Sequence, residues 1–298
     1  MLLAFATLYV IWGSTYLAIR IAVVSLPPLV MAALRFTVAG GGLYAWLRAR
    51  GVPAPTRREW GGAAVAGTLL LGGGNGLVCW AEQWVPSGQT ALIVASVPLW
   101  MTALPWMVGK ARMPSPVALV GVALGLAGVA LLVGGGAPAH AGASGGALLA
   151  GRVGLLVASL SWSIGSLISR RLPLPRQPAL VSAMEMLAAA PVLALGALLK
   201  GEWTHFHPAA VTGGAWFALG YLIVFGSLAG FGSYVFLLGH TSAARVSTYA
   251  FVNPLVAVLL GTLFAHEALG TRTLGAAALI VCAVAAVIWG TAAARREH

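Results

Sequence analysis

Ten apolar stretches follow one another along this chain of 298 residues, each about the 20 residues that an α-helix needs to cross a bilayer. They run over 2–24, 29–47, 60–80, 86–109, 115–134, 148–170, 177–199, 211–237, 246–265 and 272–292. In lipid every backbone polar group must be satisfied internally, which leaves helices or a closed barrel, and stretches of this length are helical. The chain therefore reads as an all-α membrane protein. The apolar region between 60 and 109 is divided at Pro86, Ser87 and Gly88, which predict a tight turn. The first stretch lacks a basic leader and exceeds the core of a signal peptide, so it is read as an uncleaved span.

Charge gives the topology. Only 8% of residues are charged, yet the net charge is +11. In a soluble chain that excess would point to nucleic acid; here the positive-inside tendency accounts for it. With the N-terminus inside, the cytoplasmic segments hold Arg48, Arg50, Arg57, Arg58, Lys110, Arg112, Arg170, Arg171, Arg176, Arg245, Arg295 and Arg296. The outer side keeps Arg152, Lys200 and Arg272, while Arg20 and Arg35 lie within or at the end of spans. Both termini are thus expected in the cytoplasm.

An internal repeat divides the chain. Trp12 and Trp162, Leu17 and Leu167, Arg20 and Arg170, Pro28 and Pro178, and Ala39 and Ala189 are each 150 residues apart. Later the offset drifts, to 156 for Pro98 and Pro254 and to 154 for Gly121 and Gly275. Each half then has five spans, and an odd number forces the second half to insert upside down. The expected division is a first repeat over 1–136, a small flexible linker over 137–147 and a second repeat over 148–298. The linker region contains Gly142-Ala143-Ser144-Gly145, which looks like the GxSG of rhomboid-type proteases. Outside any span and without a neighbouring histidine, it reads as a connection and not as a nucleophile.

The stretch from Leu69 to Pro98 concentrates polar and ring-bearing residues. Asn75, Cys79 and Glu82 stand at i, i+4 and i+7, on one face of a helix. Asn75 and Cys79 are expected to face a cavity, with Glu82 at its outer rim near Arg20, as a gate or as an interfacial salt bridge. Glycines from 72 to 76 and the prolines Pro98 and Pro254 are the candidate hinges, Gly72 and Gly74 among them, because proline frees a carbonyl one turn earlier. Close packing is the competing reading for the glycines.

Other constellations lie on the remaining spans. Arg35 and Glu185, equivalent in the repeat, predict an ion pair between the halves, with Glu185 as a proton-coupling site the alternative. Trp12 and Trp162 sit about mid-depth, too deep for interfacial anchors, next to polar neighbours such as Tyr16 and Ser166. Tyr234, Tyr249 and Asn253 supply ring and amide groups from the second half, Pro254 breaking the ninth span. His205 and His207 with Glu202 form a weak metal pattern in a short outer loop, and no metal or cofactor is expected. Cys79 and Cys282 read as free thiols within apolar runs.

The stretches YVIWGSTYLAIRIA (9–22), PPLVMAALRF (27–36), GNGLVCWAEQWVPSGQTALIVASVPL (74–99), SWSIGSLISR (161–170), EMLAA (185–189) and YAFVNPLVAVLLG (249–261) resemble the drug/metabolite transporter superfamily. The likeness is to its EamA family, in particular to YedA-like and amino-acid exporter (YddG-type) members. One departure is Gly109-Lys110, where many members carry Gly-Glu; the second half has His266-Glu267. The resemblance implies a basket-like carrier in which spans 1, 3, 4, 6, 8 and 9 line a central cavity. It also implies export of amino acids or related small metabolites across the bacterial inner membrane by alternating access. Trp12, Trp100, Trp162, Tyr234 and Tyr249 would take aromatic or apolar side chains, and Asn75, Ser166 and Asn253 the polar end. Carriers of sugars, nucleobases or drugs are the alternative reading. An intramembrane enzyme lacks a nucleophile–base pair. Partners are expected to be a small-molecule substrate and membrane lipid, with no nucleic acid, and the protein to be monomeric.

Overall fold

The computed structural model describes residues 1–109, 113, 115–133, 144–241, 246, 248–266 and 270–293. Lys110, Arg112, Arg245, Glu267, Arg295, Arg296 and residues 137–143 of the expected linker lie outside the described residues. The described residues form helices and no strand. Among the described residues seven helices are long and apolar enough to cross a membrane: Leu2–Ala22, Pro28–Ala49, Arg57–Ala81, Ser87–Met107, Gly145–Ser169, Pro178–Leu199 and Gly213–His240. Three further apolar helices, Pro116–Val133, Tyr249–Ala265 and Thr271–Ala293, occupy the positions of the fifth, ninth and tenth expected spans.

Local chemistry sets the helix starts. Pro28 and Pro178 occupy the first helical position of the second and seventh spans, where the missing N–H costs nothing. The third span begins at Arg57, earlier than the apolar run, because Thr56 and Glu59 form a reciprocal capping box. Ser144, the serine of the protease-like tetrad, caps the sixth span by accepting from the Ala147 amide at 3.2 Å.

Equivalent spans of the two halves pack against each other. A Cβ added to Gly40 in the second span would lie 2.9 Å from Met186 Cβ and 3.0 Å from the Ala183 carbonyl in the seventh. At the periphery Gly121 of the fifth span lets the tenth approach, its added Cβ falling 2.8 Å from the Ala283 carbonyl. Small residues at such crossings let membrane helices gain close van der Waals contact.

Several details differ from the sequence reading. The turn joining the third and fourth spans is Glu82–Pro86, so Ser87 and Gly88 already belong to the helix. The fourth span is interrupted at Ala95 and Ser96, one turn before Pro98, where the proline ring deprives the Val94 carbonyl of its partner. Pro254, by contrast, lies inside the continuous helix Tyr249–Ala265 and does not break it. Arg152 is not a loop residue: it is buried within the sixth span and donates from Nη2 to Gln89 Oε1 at 2.9 Å.

A central aromatic cavity

Three spans widen into π-type turns at the middle of the bundle: Leu8–Trp12 in the first, Thr68–Asn75 in the third and Leu222–Phe231 in the eighth. Widened turns loosen the i→i+4 ladder and leave carbonyls seeking other donors, which at membrane depth must come from neighbouring helices. Each segment finds one. Ser161 Oγ of the sixth span donates to the Leu69 carbonyl at 2.7 Å. Trp12 Nε1 of the first span donates to the Gly226 carbonyl at 3.2 Å. The Asn253 amide, with its nitrogen oriented by the acceptors around it, faces the carbonyls of Leu8 and Tyr9 at 3.0 and 3.1 Å.

The two tryptophans of the repeat meet here. Trp12 and Trp162 stand edge to face with ring centroids 5.5 Å apart. Each is seated on a glycine of the other half: Trp162 against Gly74, Trp12 against Gly230. Those glycines are 156 residues apart, the offset already set by Pro98 and Pro254, so the two seats are equivalent. An added Cβ would come within 2.9 Å of Trp162 Cε3 at Gly74 and within 2.3 Å of Trp12 Nε1 at Gly230. At Gly72 it would meet Val192 at 3.5 Å, an ordinary contact. The glycine run therefore packs closely, Gly74 against Trp162, Gly73 against Ser161 and Gly76 against Leu193, the last two with an added Cβ at 2.4 Å.

Around this pair is a cavity of about 60 Å³. The first span contributes Trp12, Thr15, Tyr16 and Ile19, and the third Leu71, Gly74, Asn75 and Val78. Val94 of the fourth, Ser159 and Trp162 of the sixth, Gly226 and Phe231 of the eighth and Tyr249 of the ninth complete most of the wall. These are the six spans that the family resemblance implies, joined by Arg35 and Phe36 of the second. A buried water needs roughly 10–15 Å³ by this kind of measure. The cavity in this conformation accordingly takes a few waters, and a larger solute requires its walls to move.

Arg35 is 3% exposed. Its Nε donates to Ser227 Oγ at 2.8 Å and its Nη1 to Asn75 Oδ1 at 3.3 Å, with the guanidinium 5.0 Å from the centroid of the Phe36 ring. The predicted ion pair with Glu185 is not formed, and the antiparallel packing explains why. Gly40 and Met186 are level with each other, twelve and eight residues into their spans. Arg35 and Glu185 are each seven residues in, from opposite ends, so their levels differ by about 9 Å of helical rise. Arg35 faces the central cavity, and Glu185 lines a different one of about 150 Å³.

The remaining candidates divide between wall and support. Trp12, Tyr16, Asn75, Trp162 and Tyr249 line the cavity. Tyr234 lies behind the wall, fully buried, its ring 5.2 Å from Trp12, 5.1 Å from Trp162 and 6.2 Å from Tyr249, and its hydroxyl 2.6 Å from Ser166 Oγ. Cys79 is buried and bonds Asn75 Oδ1 through its thiol at 3.4 Å. Trp100 and Asn253 do not reach the cavity wall either. Glu82 is fully buried and not on an open rim, and Arg20 Nη1 donates to its backbone carbonyl at 3.1 Å. Ser159, Ser227 and Phe231 escaped the sequence reading. Phe231 was recoverable, because an offset of 156 carries Asn75 onto it.

In the loop of Glu202, His205 and His207, the glutamate acts as a helix cap. Glu202 Oε2 accepts from the amides of Leu29 at 2.8 Å and Val30 at 3.1 Å, closing the N-terminus of the second span from the other half of the chain. Burial pushes its carboxyl up from the usual range, while the two amides and Lys200 oppose that shift. Among the described residues no three metal-ligating side chains gather.

Comparison with known proteins places this architecture. The model of the EamA-like transporter family matches residues 1–134 and 149–289. The chain is similar to the uncharacterized inner membrane transporter YedA of Escherichia coli K12, 42% identical over 289 residues covering 96% of this chain and 90% of YedA. It is 24% identical over 287 residues, 94% of this chain and 92% of the relative, to a probable amino-acid metabolite efflux pump of Salmonella typhimurium. A solved crystal structure, 24% identical in sequence, matches the fold with a TM-score of 0.66 over 96% of each chain. Inverted halves that meet at a shared cavity, each matched by the same family, lead to one assignment: this chain is a membrane transporter of the EamA-like transporter family.

Proposed function

We propose that the protein is an inner-membrane secondary carrier that exports amino acids, aromatic and apolar ones included, and related small metabolites through the central cavity. The observation that carries this reading is Arg35. A guanidinium buried at membrane depth is costly, and among the described residues its hydrogen bonds go to two neutral acceptors, Ser227 and Asn75. A carboxylate entering the cavity completes the charge and takes the remaining guanidinium donors. Trp12, Trp162 and Tyr249 around it accept an aromatic or aliphatic side chain, and their ring faces favour an ammonium group.

Transport follows from alternating access. The repeats 1–136 and 148–298, joined by 137–147, rock about their shared interface with both termini in the cytoplasm. The layer of Trp12, Trp162, Phe231 and Tyr234 is the barrier between the two ends in the present conformation. The widened turns and the Pro98 interruption supply helices that bend at that depth. The names of relatives point the same way, one an inner membrane transporter and one a probable efflux pump for amino-acid metabolites.

Purified protein in liposomes, loaded in turn with each labelled amino acid, tests the proposal. Saturable flux of phenylalanine, tryptophan or leucine is expected. If no amino acid moves faster than in protein-free liposomes, the substrate class is wrong.

A further inference from the structure

The central cavity uses neither of the two acids buried most deeply among the described residues, Glu82 and Glu185. Glu185 is 1% exposed, and its Oε2 has no hydrogen-bond partner among the described residues. It lines the second cavity, of about 150 Å³, which has room for roughly ten waters. That cavity runs between Val181 and Glu185 of the seventh span, Leu70 of the third and Leu238 of the eighth, and ends at Arg170 and Arg176. Both arginines are exposed, so the cavity joins a buried carboxyl to the arginine-rich end of the bundle. The Arg35 cavity is a separate one, and the chain neighbours Leu70 and Leu71 line one cavity each.

We infer that Glu185 is the coupling site of the carrier, binding and releasing a proton through the arginine-rimmed cavity. The reaction is the ionisation of the side chain: the O–H bond breaks, the electron pair stays on the carboxylate and the proton passes to water in the cavity. The groups around it leave Glu185 as the titrating member. From the eighth span Tyr234 approaches, its hydroxyl held by Ser166. From the segment joining the sixth and seventh spans come Arg170 and Arg176. On the second span, packed along the seventh, Arg35 is turned to the other cavity and Tyr44 to the Trp60 ring at 5.8 Å. The third span brings the apolar Leu70 to the cavity and Gly67 against the Glu185 backbone.

The change of charge gives Glu185 a mechanical effect. As the acid it can remain in the closed, mostly apolar environment seen here. As the carboxylate it is held more cheaply where the cavity is open to water and to the two arginines. Proton release thus biases the carrier toward one access state, and a proton gradient becomes a solute gradient. The coupling to solute rests on the proposed transport function; the protonation itself does not.

Two measurements separate these parts. Infrared difference spectra between acid and alkaline pH read protonated carboxyl groups directly, and a chain with six glutamates and no aspartate has few of them. A carbonyl band that titrates in the wild type and disappears in Glu185→Gln is expected. A spectrum unchanged by the substitution overturns the proton site, whatever the transported solute. In liposomes, labelled phenylalanine is followed with and without a gradient of one pH unit. The wild type accumulates it roughly tenfold, the same factor as the proton gradient for one-to-one exchange. Glu185→Gln keeps phenylalanine exchange within about twofold but gives no accumulation. Wild-type accumulation indifferent to the gradient, or loss of exchange together with accumulation in Glu185→Gln, overturns coupling through this residue. Absence of any phenylalanine exchange in the wild type, with the infrared band present, refutes the transport proposal and the coupling but leaves the proton site standing.

Discussion

Replacing Gly230 with alanine puts a methyl carbon 2.3 Å from Trp12 Nε1 and 2.5 Å from Trp12 Cδ1. Neither distance can persist, so the indole must move, and its 3.2 Å hydrogen bond to the Gly226 carbonyl breaks with it. Overpacking of a filled site costs about 1–3 kcal/mol, and a lost hydrogen bond between membrane helices adds about 0.6 kcal/mol on average. Alanine recovers up to about 1 kcal/mol of helix propensity over glycine, which leaves a net loss of about 1–3 kcal/mol. Gly74→Ala should cost less, because its methyl lies 2.9 Å from Trp162 Cε3, a ring edge that can tilt. Gly232→Ala and Gly239→Ala meet nothing within 4 Å and serve as controls expected to be neutral or stabilising. Unfolding of detergent-purified protein by denaturant, followed by tryptophan fluorescence, measures all four. Pairing Gly230→Ala with Trp12→Leu should recover at least about 1 kcal/mol of coupling. If Gly230→Ala is as stable as Gly232→Ala, or if the pair shows no coupling, the tryptophan–glycine seat does not help to join the halves.

Two further substitutions test the support around the cavity. Glu202→Ala strips the Leu29 and Val30 amides of their acceptor and should lower stability by about 0.5–2 kcal/mol. Glu202→Gln, which keeps an oxygen there, should recover most of that loss in the same unfolding assay. Tyr234→Phe removes the hydroxyl bonded to Ser166, whose own donation to the Trp162 carbonyl remains. A bond of this kind is worth about 0.6–1.7 kcal/mol in a membrane bundle, so the aromatic layer should open about three- to eighteen-fold more often. Exchange of labelled phenylalanine should accelerate in proportion where opening limits it, and an unchanged rate would exclude the layer as the barrier.

Much of this architecture is legible in the chain because the membrane simplifies it. Lipid leaves few choices for the backbone, so length and hydropathy alone locate the spans. The offset of 150 residues between Trp12 and Trp162 identifies two residues that meet in space. The same symmetry misleads at Arg35 and Glu185. Equivalence in an inverted repeat fixes mirrored depth, and only residues near the crossing point touch, which neither of these is. Burial of Glu82 and Cys79 was also hidden, since the polar face of a membrane helix can look toward a cavity or toward another helix. The widened turns have no clear signature beyond the glycines near them. Their partners, Ser161 and Asn253, come from spans that the local sequence does not connect to them.

Competition in liposomes decides whether Arg35 holds a carboxylate within the aromatic cavity. Exchange of labelled phenylalanine is measured against unlabelled phenylalanine and against phenethylamine, which keeps the ring and ammonium but lacks the carboxylate. A hydrogen bond to a charged group contributes about 1.5–3 kcal/mol, so phenylalanine should compete better by about 10- to 150-fold, and Arg35→Gln should erase that preference. Equal competition by phenethylamine in the wild type, or an intact preference in Arg35→Gln, would contradict the assignment.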